Sequence, residues 1–137
     1  MMMLRWYDRD GKPITQQQAA ALSKDNPEYY RVARTRVFAP DDLETGWDIS
    51  TVWLGFDHNY GRSGPPIIFE TMVFALDSDG DEVEMQRYAT LAEADQGHRA
   101  MVDRMKAQIE DPVVVEATDG MPDELPATEV AGEDFTP

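Results

Sequence analysis

The chain has 137 residues, 42% of them hydrophobic, and sets 27 acidic side chains against 12 basic ones for a net charge of −15. That length suits one domain with a modest core. The charge argues against direct nucleic-acid binding, which needs Lys and Arg to neutralise phosphates, and the absence of cysteine excludes disulfides, thiolate catalysis and Cys-ligated zinc. No run comes near the roughly 20 apolar residues that cross a bilayer, and "MMMLRWYDRDG" turns polar too early for a secretory signal. A cytoplasmic protein with no membrane partner and no cofactor is the expectation.

Taken in order, "LRWYD" (4–8) reads as a short strand and "DRDGKP" as a turn, because Asp-Gly tolerates positive φ and Pro13 lacks a donor. Thr15 is placed to cap a helix over "QQQAAALSK". "DNPEYYRVA" predicts a second short helix, with Asn26 as cap and Pro27 at its first position. "RTRVF" (34–38) extends into a strand, and "APDDLETG" reads as an acidic loop. Two strand-length runs come next, "DISTVWLGF" (48–56) and "IIFETMVFAL" (67–76), rich in β-branched and aromatic residues.

"EVEMQRYA" (82–89) alternates, with Val83, Met85 and Arg87 on one side. A two-residue turn at Asp79-Gly80 would set Leu76 opposite Val83, Phe74 opposite Met85, Met72 opposite Arg87 and Glu70 opposite Ala89. "TLAEADQGHRAMVDRMKAQIE" is the strongest helix: Thr90 and Glu93 form a capping box, and Leu91, Ala94, His98, Met101 and Met105 share one face. Residues 111–137 carry eight acids, no base and four of the prolines, which describes a tail that does not fold alone. The expected architecture is a single α+β domain over 1–110. It has a small, mostly antiparallel sheet of about four strands, a C-terminal amphipathic helix across one face and short N-terminal helices. Its central strands are apolar on both sides, so the second face needs cover from the N-terminal helices, a homodimer partner or another protein.

Two candidate sites emerge. In the register above, Glu70 and Arg87 lie diagonally on one face, and the helix directs His98 out of its apolar stripe toward the same layer. Such a cluster is either a structural ion pair with a hydrogen-bonded core histidine, or a site in which Glu70 or His98 moves protons while Arg87 holds an anion. The 57–66 connection offers Asp57, His58, Asn59, Tyr60 and Arg62 as an interaction loop, with Gly61 and Gly64 permitting close backbone approach. Neither a dinucleotide-binding nor a Walker pattern is present, and two histidines without paired spacing do not make a zinc site. "DRDGKPI" and "DSDGDEVE" lack the twelve-residue spacing of a calcium loop. Arg31, Arg34 and Arg36 form a basic patch expected to pair with carboxylates of the body.

At "STVWLGFDHNYG", "PPIIFETMVF" and "RYATLAEADQGH" the chain resembles a group of small proteins of actinobacteria and their phages that has no assigned activity. The resemblance spans roughly residues 4–105 and rests on Trp53, Asp57, His58, Pro65, Pro66, Phe69, Glu70, Arg87, Tyr88 and His98. Members often carry a shorter, glycine-rich segment in place of "ALDSDGDEVEMQ". The resemblance implies a stand-alone domain of phage or actinobacterial origin, working in the host cytoplasm if phage-encoded, and assigns no catalytic residue. The function expected is that of a non-enzymatic accessory protein, binding a host or phage protein through its acidic surface and the 57–66 loop. The alternatives are an inhibitor that imitates DNA charge, and a small enzyme or ligand binder centred on Glu70, Arg87 and His98.

Overall fold

The computed structural model describes residues 5–59, 63–77 and 81–116. Strands β1 (Trp6–Tyr7) and β2 (Pro13–Ile14) pair antiparallel as a two-stranded ribbon. Its turn is held by the Asp8 carboxylate, which accepts from the backbone N–H of Asp10 and of Lys12, each at 2.9 Å. Helix α1 (Gln16–Asp25) starts at Thr15, whose hydroxyl accepts from Gln18 N while the Gln18 side chain accepts from Thr15 N, a complete capping box.

The second helix predicted from "DNPEYYRVA" is a turn instead. Pro27 keeps Asn26 out of the helical region, at φ −140 and ψ 93. The Asn26 side chain then accepts from Glu28 N and its carbonyl from Tyr29 N. The chain passes straight into β3 (Arg31–Ala39), so one N-terminal helix forms and not two. The acidic loop expected at 39–46 is also shorter than predicted. Ala39 already pairs with Asp42, the first residue of β4 (Asp42–Trp53). Asp42 accepts from the Thr45 hydroxyl and then from Glu44 N, which together hold its carboxyl below the usual range. At Gly46 (φ 153) a Cβ would overlap the Val37 carbonyl, so the close crossing of β3 and β4 requires glycine there.

Strand β5 (Phe69–Ala75) and strand β6 (Glu82–Tyr88) come next, then helix α2 (Leu91–Lys106) and strand β7 (Val113–Glu116). Among the described residues the main sheet has five strands in the order β6-β5-β4-β3-β7, every neighbour antiparallel. The fold is therefore α+β and mostly antiparallel, as expected, with one strand more than anticipated and a separate ribbon. The extra strand is β7, formed by residues expected to belong to the acidic tail. "VVVE" completes the β3 edge, and the domain extends at least to Glu116.

Helix α2 crosses β3, β4, β5 and β6 on one face. Its Met101 and Met105 pack with Val37, Ile49 and Val73, while Ala94 joins Trp53, Phe69 and Tyr88 in a second cluster that also holds Ala19 of α1. Strand alternation sends Glu70, Met72 and Phe74 to the opposite face.

Candidate functional site

The β5–β6 register differs by two residues from the expected one: Glu70 lies directly opposite Arg87 and Met72 opposite Met85. A bulge between Val73 and Phe74 takes up one further residue, so Phe74 meets Glu82. The turn at Asp79-Gly80 lies outside the described residues. Across the pair, Arg87 Nε donates to Glu70 Oε2 at 2.9 Å. The Glu70 side chain is 11% exposed and the Arg87 side chain 41%, so the arginine keeps contact with water while covering the acid.

His98 is not part of this pair. It projects from α2 onto the other face of the sheet, between Thr35 of β3 and Thr51 of β4. The predicted convergence of Glu70, Arg87 and His98 is therefore corrected: the sheet itself separates the imidazole from the ion pair. Alternation along β5 and β6 does place Glu70 and Arg87 on one face. It does not decide which face α2 covers, because β5 is apolar on both sides.

His98 instead belongs to a buried polar chain. Its Nδ1 is 2.7 Å from Thr51 Oγ1 and its Nε2 2.8 Å from Thr35 Oγ1. Thr51 and Thr71, cross-strand partners on β4 and β5, share a short hydroxyl–hydroxyl bond, and the Tyr88 hydroxyl donates to Thr71 Oγ1 at 3.1 Å. Tyr88 donates to Thr71, and the neutral imidazole bridges Thr51 and Thr35, donating to one hydroxyl and accepting from the other. Burial pushes its pKa down to about 4, against a smaller upward pull from Asp95 three residues earlier. At 4% exposure His98 is sealed within the core, and a ring that titrates at about 4 is neutral at physiological pH.

The 57–66 loop braces itself. Asp57 Oδ1 accepts from Asn59 N at 2.7 Å and from Ile67 N at 2.8 Å, closing both sides of the loop. His58 Nδ1 donates to the Phe56 carbonyl at 3.1 Å, and its ring stacks on Phe56 with centroids 4.4 Å apart. Asn59 Nδ2 donates to the carbonyls of Ser63 and Pro65. Three of the five proposed contact residues thus serve the loop's own shape; Tyr60 and Arg62 lie outside the described residues. The basic patch behaves as expected. Arg34 forks onto Asp48 at 2.7 and 3.1 Å, Arg36 approaches the same carboxylate at 3.5 Å, and Arg31 pairs with Glu28 at 2.8 Å.

The feature that sequence reasoning missed is the edge of the sheet, where β6 pairs with one strand among the described residues. The large apolar side chains exposed among the described residues are Val83 (47%), Met85 (43%) and Val114 (37%), and all three fall on the edge strands β6 and β7. On the α2 side of β6 runs a groove of about 570 Å³ between Gln86, Tyr88 and Ala89 of the strand side and Gln96, Gly97 and Ala100 of the helix. Gly97 is what seats Tyr88 there: a Cβ at that position would overlap the tyrosine ring. A glycine amid a helix pattern, three residues from an alanine, is the one signal of this groove in the sequence.

The chain matches no protein-family model, no curated protein and no solved structure. Among the described residues no group of three His, Asp or Glu side chains is placed to hold a metal ion, and no helix is long and apolar enough to cross a membrane.

Proposed function

We propose that the protein is a non-catalytic accessory module that binds another protein by taking an extended segment of it as an added strand on β6. The observation that carries this reading is the coincidence of exposed apolar side chains with an open sheet edge. Val83 and Met85 stand on one side of β6, and the groove bounded by Tyr88, Gly97 and Ala100 lies on the other. An added strand needs free backbone groups between two such rows of side-chain contacts. The Tyr88 carbonyl accepts from Ile68 N and so points toward β5. Alternation then turns the backbone of Arg87, Met85 and Val83 outward. Val83 and Met85 give this seven-residue edge strand an exposed apolar row between its charged residues, a surface that a partner strand would cover.

The partner in this reading is still a protein, while the contact moves from the 57–66 loop to the strand edge. Pro65 and Ile67, where that loop returns, line one end of the groove. The net charge of −15 favours a partner segment bearing Lys or Arg and speeds its approach at low salt. The test is Met85→Pro in the full chain, which removes an outward donor and leaves the β5 ladder intact. A pull-down from host lysate at two salt concentrations should lose, with this variant, a partner that the wild type holds. Retention of that partner by Met85→Pro, with an unchanged thermal melt, would refute strand addition.

A further inference from the structure

We infer that strand β7 is exchangeable between two copies of this chain, the β7 of each pairing with the β3 edge of the other. This inference is independent of strand addition on β6. It starts from the connection between α2 and β7. After Lys106 the chain stays turned as far as Ile109, whose N–H donates to the Lys106 carbonyl at 3.2 Å and whose side chain packs against the core. Glu110, Asp111 and Pro112 then carry the chain round into β7. Among the described residues Asp111 is the one non-glycine with positive φ, at 52. That region is costly for an L residue, and a following proline pushes its predecessor toward extended backbone. The return is thus made at a residue whose neighbour favours a straight chain. Straightening Glu110–Pro112 satisfies both residues and carries β7 about 10 Å from its own sheet. A short hinge under strain invites this kind of exchange.

The strand and the edge that receives it fit this reading. Strand β7 has four residues, and its side chains are alternately half-buried and exposed, so little holds it in place. The β3 edge is less able to stand alone. Val37 and Phe38, which pair with Val114 and Val113, are both buried, and departure of β7 would uncover them beside unpaired backbone groups. The segment that matches this edge is the β7 of a second copy, which restores the register from Thr35–Glu116 to Phe38–Val113 pair for pair. Val113 lies opposite Phe38, one residue before Ala39 meets Asp42 in the β3–β4 hairpin, so the hinge sits at the rim of the sheet, where a second body can approach. Exchange keeps every strand contact and is opposed chiefly by the entropy of association. Relief of backbone strain at one such residue is worth about tenfold in an equilibrium constant, and at two hinges about a hundredfold.

The test uses the full chain, which has no cysteine, so that Val37→Cys with Val114→Cys creates a single cross-strand pair. Cysteine is itself a small apolar side chain and disturbs these positions little. The protein is held at millimolar concentration, separated by size, oxidised with diamide and run on a denaturing, non-reducing gel. Exchange predicts that the dimer fraction remains a covalent dimer when denatured, while the monomer fraction remains a monomer. Residue 111, which is exposed, sets the balance without touching the core. Asp111→Gly takes positive φ freely and should raise the dissociation constant of the dimer about a hundredfold. Asp111→Val, which disfavours positive φ and suits extended backbone, should lower it. Absence of dimer from Asp111→Val at millimolar concentration would overturn the inference, as would a dimer whose oxidised form denatures to monomers. A dissociation constant indifferent to residue 111 would do the same. The dimer should persist in Met85→Pro; its loss there would place the contact on β6, supporting strand addition and overturning exchange of β7.

Discussion

Acidification from pH 7 to pH 5 should remove about 2 kcal/mol of folding stability through His98 alone. In the folded protein its imidazole titrates at about 4, against an ordinary value of 6.5, because burial penalises the charged ring. The unfolded chain therefore binds the proton first. Above pH 6.5 both states hold a neutral ring and His98 adds no pH dependence. As pH falls from 6.5 toward 4 the unfolded state is increasingly favoured, and the loss reaches about 3 kcal/mol at pH 4, each pKa unit being worth ~1.4 kcal/mol. The assay is urea denaturation at half-unit intervals between pH 4 and 8, on the wild type and on His98→Gln. Carboxylates lost on acidification are common to both proteins, so the difference in slope isolates the imidazole. His98→Gln should be less stable at pH 7, since it disturbs hydrogen bonds to Thr35 and Thr51, but it should lose less on going to pH 5. Parallel curves, or a His98 ring that titrates near 6.5 by NMR, would show that the imidazole is hydrated and that the polar chain is not sealed.

Two other substitutions probe the packing on either side of the sheet. Gly97→Val drives a side chain into the Tyr88 ring; overpacking of this kind costs about 1–3 kcal/mol, and a thermal melt that does not fall would mean Tyr88 is not seated there. Glu70→Ala should cost only about 1 kcal/mol, because Arg87 is 41% exposed and turns to water when its partner is removed; a loss of several kcal/mol by denaturant titration would mean that the guanidinium is trapped beneath other chain.

The parts of the fold legible in the sequence are those with local causes. Thr90 and Glu93 announce α2, and Thr15 announces α1, because a cap is a bond between neighbours. Asn26-Pro27 is ambiguous for an equally local reason. Asparagine before proline starts a helix or a turn with the same atoms, and Tyr30 and Val32, needed in the aromatic and aliphatic packing beside Trp53, decide for the turn. The site fails at a different level. Period two places Glu70, Met72, Met85 and Arg87 together correctly. It cannot say which face α2 covers, since Phe69 and Val73 on one side are as apolar as Met72 and Phe74 on the other. The bulge at Val73 and the two-residue shift of register are set by how β4, β5 and β6 twist together, and no pair of adjacent residues reports that.

The buried chain and the open edge meet at Tyr88, and this bears on binding. Among the described residues strand β6 has one neighbour strand, β5, and its side chains tie it down at three points: Arg87 to Glu70, Glu84 to Arg104 of α2 at 2.7 Å, and Tyr88 to Thr71. Two of these ties are partly exposed ion pairs, which hold a strand weakly. Tyr88 is the buried one, fixed by the notch at Gly97 and by a hydrogen-bond run that ends on His98 and Thr35. An edge held rigid before a partner arrives loses less conformational entropy when it pairs. Tyr88→Phe keeps the ring in its notch and breaks only the run. If the polar chain serves to set the edge, that variant should weaken strand addition beyond what its small loss of stability accounts for. Unchanged affinity would assign Thr35, Thr51, Thr71 and His98 to the core alone.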